Sequence, residues 1–167
     1  MTELSVDLLH EIFNYRDGEL YWKVRRSHNA AVGSRAGVQH SSGYRIIKIN
    51  GKPHKEHRLI FLMHYGYLPK EVDHIDGNKL NNRIENLRSA TTSQNQHNRT
   101  KYKNNTSGYK GVSFYGKNKY KCWGANIQVN GKQKHLGYFL TPEEAFAAYC
   151  KAALELHGEF ANTGDTV

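Results

Sequence analysis

Residues 72–98 constrain the fold more strongly than any other part of the chain. Asp73-His74 lies at the end of a predicted strand, and the clustered Asp, Gly and Asn residues that follow predict a compact loop. Residues 87–90 predict a returning strand, and the Thr-Thr-Ser run at 91–93 supplies an N-cap for a helix that carries Asn95. The segment therefore predicts a strand, a loop, a second strand and a helix in close succession.

The same segment contains the groups that phosphodiester hydrolysis needs. Asp73 offers hard oxygen ligands suited to Mg²⁺ or Mn²⁺, which would bind the scissile phosphate and stabilise the leaving oxygen. His74 beside it suits the role of general base near neutral pH. Asn86 can accept the ring proton of that imidazole, and Asn95 can supply a second oxygen to the metal. We therefore expect one divalent metal, Mg²⁺ or Mn²⁺.

The order of these residues, DHIDGNKLNNRIENLRSATTSQN, resembles the HNH (ββα-metal) homing endonucleases of phages and mobile introns. Upstream, HRLIFLMHYG and GYRIIKINGKPHKEH are also similar to the phage branch of that family. The resemblance implies a metal-dependent endonuclease in which Asp73 and Asn95 bind one metal. It also implies that His74 is the general base and that Asn86 orients it. His97, two residues beyond Asn95, is the alternative second metal ligand.

A buried helix is predicted at 57–65, and it opens with His57 and Arg58. Because a helix N-terminus favours phosphate, Arg58 is expected to contact DNA. His57 has two interpretations: it binds metal or phosphate, or it only packs beside the site.

The residues before this helix predict an extension of one helix and antiparallel strands. The apolar spacing indicates a helix over 5–14, with Ser5 or Thr2 as its cap, and a strand over 19–24. Asn50-Gly51 after the alternating segment 44–49 predicts a hairpin, and Pro53 predicts that its returning strand lies at a sheet edge.

Charge indicates a polyanion as partner. The chain has a formal net charge of +9, and residues 86–142 contain ten Lys or Arg but neither Asp nor Glu. A stretch of this length that carries only positive charges is typical of a surface that faces phosphate. The alternative is a surface that only faces solvent. Two cysteines cannot form a cysteine zinc site, a single disulfide is conceivable, and the absence of a signal-like or membrane-spanning run favours a reducing cytoplasm.

Residues after 107 predict a second small module. Strands are expected at 109–115, 120–129 and 132–140, and Thr141-Pro142 begins a helix that ends at Gly158. The pieces YKGV, WGANI and HLGYFLTPEEAFAAYCKAA resemble the plant ethylene-responsive-factor (APETALA-two type) DNA-binding domain. That resemblance implies a three-stranded sheet that enters the major groove and is backed by the helix.

Strand alternation divides the faces of this sheet. Ala125, Ile127 and Leu136 are expected to pack on the helix, whereas the opposite face and the turns are expected to contact DNA. The plant modules read guanine largely with arginine, which this module lacks after Arg99, so non-specific docking is the alternative. The predicted DNA-binding residues are Lys110, Ser113, Tyr115, Lys119, Lys121, Asn126, Gln128, Lys132, Gln133 and His135.

The sequence thus predicts an α+β protein with an HNH endonuclease domain at 1–98 (core motif 57–98), a basic linker at 99–107 and a DNA-binding domain at 108–162. Double-stranded DNA is the expected partner of a monomer in the cytoplasm of a host cell, without a membrane or small-molecule substrate. Two alternatives remain: a non-catalytic DNA-binding regulator, and an RNA-cutting enzyme of the same fold.

Overall fold

The computed structural model describes residues 4–26, 30–98, 105–116 and 122–164. The chain divides into two compact units, Met1–Ala90 and Thr91–Val167. Small antiparallel sheets and four helices make up the described part, which confirms the predicted α+β class. Among the described residues, no helix is both long and apolar enough to cross a lipid bilayer.

The first unit contains two helices and seven strands within its described residues. These are α1 (Val6–Ile12), β1 (Phe13–Arg16), β2 (Glu19–Trp22), β3 (Val38–Gln39), β4 (Arg45–Ile49), β5 (Lys52–Lys55), α2 (Glu56–Tyr65), β6 (Glu71–His74) and β7 (Leu87–Ala90). The strands form three separate sheets, with the orders β1-β2, β3-β4-β5 and β6-β7.

Helix α1 is shorter than the sequence predicted. Ser5 is its N-cap and accepts a hydrogen bond from the Leu8 amide, as expected. The helix ends at Ile12 instead of residue 14, because Phe13 begins β1, which pairs antiparallel with β2. The turn between them has positive φ at Asp17 (47°) and Gly18 (86°), the geometry of a tight hairpin.

The middle sheet agrees with the sequence in its central hairpin. Asn50 and Gly51 have φ of 50° and 79°, so the predicted two-residue turn between β4 and β5 is confirmed. Strand β5, which contains Pro53, pairs only with β4 and lies at the sheet edge, as predicted. The short β3 precedes β4 in the chain, and its two residues pair with β4.

Helix α2 is the centre of the first unit's core. It confirms the predicted helix, and it stops at Gly66, whose φ of 76° is left-handed. Its apolar residues pack among those of α1 and the neighbouring strands, including Leu9, Leu20, Ile47, Leu59, Ile60, Phe61, Val72 and Leu87. Burial of this apolar surface anchors the strand that carries the predicted cleavage residues.

The second unit contains α3 (Thr92–His97), β8 (Val112–Phe114), β9 (Trp123–Val129), β10 (Lys132–Phe139) and α4 (Pro142–His157). The sheet order is β10-β9-β8, and α4 packs on all three strands, as predicted. Ala125 and Ile127 are buried and Leu136 partly buried against this helix, which confirms the predicted division of faces. Thr141 caps α4, and Cys122 and Cys150 do not form a disulfide.

The boundary between the compact units lies after Ala90, whereas the sequence placed the domain boundary after residue 98. Thr91 is the N-cap of helix α3 and forms a capping box with Gln94. Lys110 and Asn162 donate hydrogen bonds to backbone carbonyls of α3 and its C-cap, so these contacts tie the helix to the second unit. Residues 99–104, most of the predicted linker, lie outside the described residues.

Candidate active site

His74 ends β6 and has a buried imidazole, only 5% exposed. Its Nε2 lies 2.9 Å from the amide oxygen Oδ1 of Asn82. Burial lowers the pKa of His74, whereas the hydrogen bond to Asn82 and the carboxylates of Asp76 and Asp73 oppose that shift. The imidazole is therefore neutral near pH 7, which is the state that a general base requires.

Asn82 connects His74 to a buried carboxylate on α2. The Nδ2 of Asn82 donates to Oε2 of Glu56 over 2.9 Å, and both side chains are 1% exposed. Glu56 also accepts hydrogen bonds from the backbone N–H of Leu20 and from Nη2 of Arg35, each at 3.0 Å. Burial raises the pKa of Glu56, and these donors oppose that rise. Three donors on one carboxylate are the partners that an ionised Glu needs when it is buried.

The turn between β1 and β2 fixes the backbone around Asn82. A Cβ placed on Gly18 would lie 2.6 Å from the nitrogen of Arg83 and 2.8 Å from the carbonyl carbon of Asn82. Because Gly18 also has φ of 86°, only glycine fits this turn without strain. The N-terminal hairpin thus supports the loop that contacts His74.

Asp73 is buried and paired with Arg88 across the β6–β7 hairpin. The two residues are register partners, and Nη2 and Nε of Arg88 lie 2.9 and 3.0 Å from Oδ2 of Asp73. The carboxylate of the predicted metal ligand is thus charge-compensated by a neighbouring guanidinium. A metal that binds Asp73 has to compete with that cation for the carboxylate.

Asn86 does not form the hydrogen bond to His74 that the sequence predicted. Its amide nitrogen donates to Oδ1 of Asp76 and to the carbonyl of Asn81, and its amide oxygen accepts from the Asp76 backbone N–H. Asn86 therefore connects residues within the loop between β6 and β7 to each other and does not hydrogen-bond to His74 through its amide. The structure places Asn82 in the contact with His74 that was assigned to Asn86.

His57 and Arg58 lie at the start of α2, as predicted. The His57 ring is 4.8 Å from the His74 ring, and burial above all, with the nearby His74 and Lys55, lowers the pKa of His57 to about 2. His57 is thus neutral and cannot provide a positive charge for phosphate. Arg58 donates to the carbonyls of Pro69 and Lys70, so its guanidinium holds the loop before β6.

Two lysines flank an aromatic ring close to His74. The ring of Tyr44 lies 6.2 Å from that of His74, and the ammonium groups of Lys55 and Lys79 lie 4.3 and 4.7 Å from its centroid. Lys79 also donates to the carbonyl of Ser42. Neither lysine pairs with a carboxylate of the described residues, so this edge of the unit carries concentrated positive charge.

The other predicted metal ligands belong to the second unit. Asn95 is half-buried in α3. His97, the alternative ligand, stacks on His157 at a ring distance of 3.7 Å, and its Nε2 lies 3.3 Å from the hydroxyl of Ser93. Burial lowers the pKa of His97, and the neighbouring His157 and Lys110 contribute to the shift. The choice between Asn95 and His97 as ligand stays a prediction.

The donor chemistry fits a hard divalent cation. Among the described residues, no group of three or more His, Cys, Asp or Glu side chains is arranged to hold a metal. A magnesium site needs fewer protein ligands than that, because one or two carboxylate or amide oxygens act together with water and substrate phosphates. Asp73 and Asn95 provide oxygen donors of that kind.

The open face of the second unit's sheet carries most of its predicted DNA-binding residues. Asn126 has both ends of its amide engaged, because Nδ2 donates to the Tyr115 hydroxyl and Oδ1 lies 3.0 Å from Nδ1 of His135. The ring of Tyr138, which is not among the predicted DNA-binding residues, lies 4.5 Å from that of His135. Ser113, Gln128, Lys132 and Gln133 are exposed, as contact with DNA requires.

Lys110 differs from the other predicted DNA-binding residues. Its ammonium group donates to the carbonyls of His97 and Asn162, and burial lowers its pKa to about 8. Lys110 thus holds the unit together at the position where a phosphate contact was expected. Lys119 and Lys121 lie outside the described residues.

Comparisons with known proteins identify one family and two viral relatives. A family model described as HNH endonuclease matches residues 54–97. The chain is 42% identical over 123 residues to an uncharacterized HNH endonuclease of Acanthamoeba polyphaga mimivirus, an alignment that covers 72% of this chain and 62% of that relative. It is 35% identical over 114 residues to Protein 3.8 of Escherichia phage T7, which covers 66% of this chain and 90% of that relative. No solved structure matches significantly.

Proposed function

Because the chain belongs to the HNH endonuclease family, we propose that it hydrolyses phosphodiester bonds of double-stranded DNA, with His74 as general base. The observation that carries the proposal is the buried imidazole of His74, which contacts Asn82 and directly follows the buried carboxylate of Asp73 in the sequence. A neutral imidazole can take a proton from the attacking water, and the acid beside it suits a metal that binds the phosphate. The activity of the whole protein is part of this proposal, since the chain spans 62% of the mimivirus relative.

The residues divide the reaction between them. His74 removes the proton from water, and Asp73 with Asn95, or alternatively with His97, would hold a divalent metal, as the resemblance to the ββα-metal nucleases implies. A bound Mg²⁺ or Mn²⁺ would supply Lewis-acid stabilisation of the charge that develops on the phosphate and on the leaving oxygen. The family resemblance implies products with a 3′-hydroxyl and a 5′-phosphate. The relatives are viral proteins, which supports a homing-type enzyme. We further propose that it acts as a monomer.

The lysine pair beside Tyr44 supports a polyanionic substrate. Lys55 and Lys79 are exposed cations next to the His74 ring, and a DNA backbone brings a phosphate charge about every 3.4 Å along each strand. Phosphates that flank the scissile bond would neutralise these ammonium groups and release counterions. This arrangement favours a nucleic-acid substrate over a neutral small molecule.

The experiment that tests the function is cleavage of supercoiled plasmid by the purified full-length protein. We expect Mg²⁺-dependent conversion of plasmid to nicked or linear DNA, and an equal mass of structured RNA should be a poor competitor. Retained DNA binding without cleavage, with Mg²⁺ or Mn²⁺ present, would instead identify a non-catalytic DNA-binding regulator. Preferential cleavage of the RNA would identify the RNA-cutting alternative.

We also propose that the second unit docks the enzyme on DNA through the open face of its sheet, as an ethylene-responsive-factor type domain would. The exposed polar residues on β9 and β10 support this proposal, because Gln can read an adenine edge and Lys can contact phosphate. Asn126 is a weaker candidate than Gln128 for base reading, since both ends of its amide are engaged within the sheet.

Two substitutions separate base reading from phosphate contact in this unit. Gln128→Ala should weaken binding by about 1–3 kcal/mol on the preferred sequence and little on a scrambled duplex. Lys132→Ala should weaken binding on both, and it should reduce the slope of binding against salt concentration by roughly one unit. Salt titrations of both variants on both duplexes measure this. Identical profiles for the two variants would mean that the unit is a non-specific clamp.

A further inference from the structure

A chain of buried polar contacts extends from the centre of the first unit to His74. Arg35 and the Leu20 backbone donate to Glu56, Asn82 donates to Glu56, and His74 faces the other end of the Asn82 amide. The two direct links of Asn82 are both 2.9 Å long. Buried polar groups of this kind are held in one arrangement, since an unsatisfied member is costly.

The donor and acceptor roles of the side chains in this series of contacts are fixed by their chemistry. An ionised carboxylate accepts hydrogen bonds and cannot donate them, whereas an amide donates from its nitrogen and accepts at its oxygen. Because Glu56 already accepts from Leu20 and Arg35, it requires the NH₂ end of Asn82. The amide oxygen of Asn82 must therefore face the imidazole, and Nε2 of His74 must carry the proton.

We propose that Glu56 is a positioning residue that, through Asn82, fixes His74 in the Nε2–H tautomer and so makes Nδ1 the basic nitrogen. The proposal rests on the proposed role of His74 as general base. A general base must be neutral to take up a proton, so its imidazole has a single ring proton, and the position of this proton determines which nitrogen has the lone pair. The opposite tautomer would set a lone pair of Nε2 against the oxygen of Asn82, and it should be disfavoured by roughly tenfold or more.

The substitution Glu56→Gln replaces a carboxylate, which only accepts hydrogen bonds, with an amide of nearly the same shape. A Gln amide can donate or accept, so the Asn82 amide is free to rotate and present its NH₂ group to His74. We expect a shift of His74 toward the Nδ1–H tautomer and a cleavage rate roughly tenfold or more below wild type, with DNA affinity unchanged. Glu19→Gln is the matched control, because Glu19 lies 3.5 Å from Arg35 on the surface and does not contact Asn82.

The tautomer is measured directly by nuclear magnetic resonance on protein whose histidines carry the heavy nitrogen isotope. Long-range nitrogen–proton correlations distinguish Nε2–H from Nδ1–H, and His74→Asn assigns the signals. The wild type and Glu19→Gln should show Nε2–H at His74. An Nδ1–H tautomer in the wild type overturns the proposal, and this result does not depend on whether any variant folds.

The cleavage rates separate this proposal from the function on which it rests. If Glu56→Gln keeps the wild-type tautomer and rate while His74→Asn is inactive, Glu56 does not position His74, although the base role stands. If Glu56→Gln shifts the tautomer but cleaves at the wild-type rate, the positioning is correct and the assignment of His74 as base is overturned.

Discussion

Replacement of His74 by alanine is expected to lower the rate of DNA cleavage by about 10²- to 10⁴-fold, the usual contribution of a general base. DNA binding should persist, since the buried imidazole is neutral and carries no charge for phosphate. Single-turnover cleavage with saturating Mg²⁺ measures the rate, and a gel-shift titration without metal measures the affinity. Near-wild-type cleavage by this variant would remove His74 from the role of base.

Two further measurements keep a folding defect from being mistaken for a catalytic one. His74→Ala leaves the buried oxygen of Asn82 without its ring partner, so the free energy of unfolding should fall by about 1–3 kcal/mol. A thermal melt detects that loss, and added imidazole should restore part of the cleavage if only the base is missing. His10→Ala is the matched control, because His10 is exposed on α1 and its ring contacts the carbonyl of Met63.

The sequence predicted elements whose signals are local. Asn50-Gly51 forms the predicted tight turn with positive φ, and Thr141 caps α4 as its position before Pro142 indicated. Asp17-Gly18 carries the same hairpin signal, but the apolar spacing of α1 continues through Phe13 and led the predicted helix too far. The end of α1 at Ile12 is determined by the pairing of β1 with β2, which local sequence does not show.

The candidate site was harder to predict because its contacts join distant parts of the chain. Asn82 lies in an Asn-Asn pair that is typical of turns, and nothing local distinguishes it from Asn86 as the partner of His74. Its other partner, Glu56, is 26 residues away. One signal was present in the sequence: Glu56 lies in the same helix as the apolar run that begins at Leu59, and an acid that is buried there needs several donors.

The lysines near Tyr44 were missed for a similar reason. Lys55 and Lys79 are 24 residues apart and belong to separate strand–loop segments, and only the fold brings both to one ring. The distribution of charge in the sequence predicted the phosphate-facing surface at residues 86–142, since that stretch contains no acids. Positive charge near the predicted base comes instead from isolated lysines that composition does not emphasise.

Asp73→Asn is expected to reduce cleavage by roughly 10³-fold at any Mg²⁺ concentration, because a bound metal supplies several kcal/mol of charge stabilisation and each 1.36 kcal/mol is tenfold in rate. The substitution keeps the shape of the side chain but removes the charge that attracts the metal. It also leaves Arg88 without its carboxylate in a largely buried pair, so a loss of stability could produce the same result.

Arg88→Met separates these two explanations. It keeps the packing volume near Asp73 but removes the guanidinium that lies 2.9 Å from Oδ2. If Asp73 binds the metal, removal of the competing cation should lower the Mg²⁺ concentration for half-maximal cleavage by roughly tenfold. Cleavage rates over a Mg²⁺ series, with EDTA as the zero point and thermal melts alongside, measure this for both variants. If Arg88→Met instead leaves the Mg²⁺ dependence unchanged and loses stability to the same extent as Asp73→Asn, the pair is structural and the metal is held elsewhere.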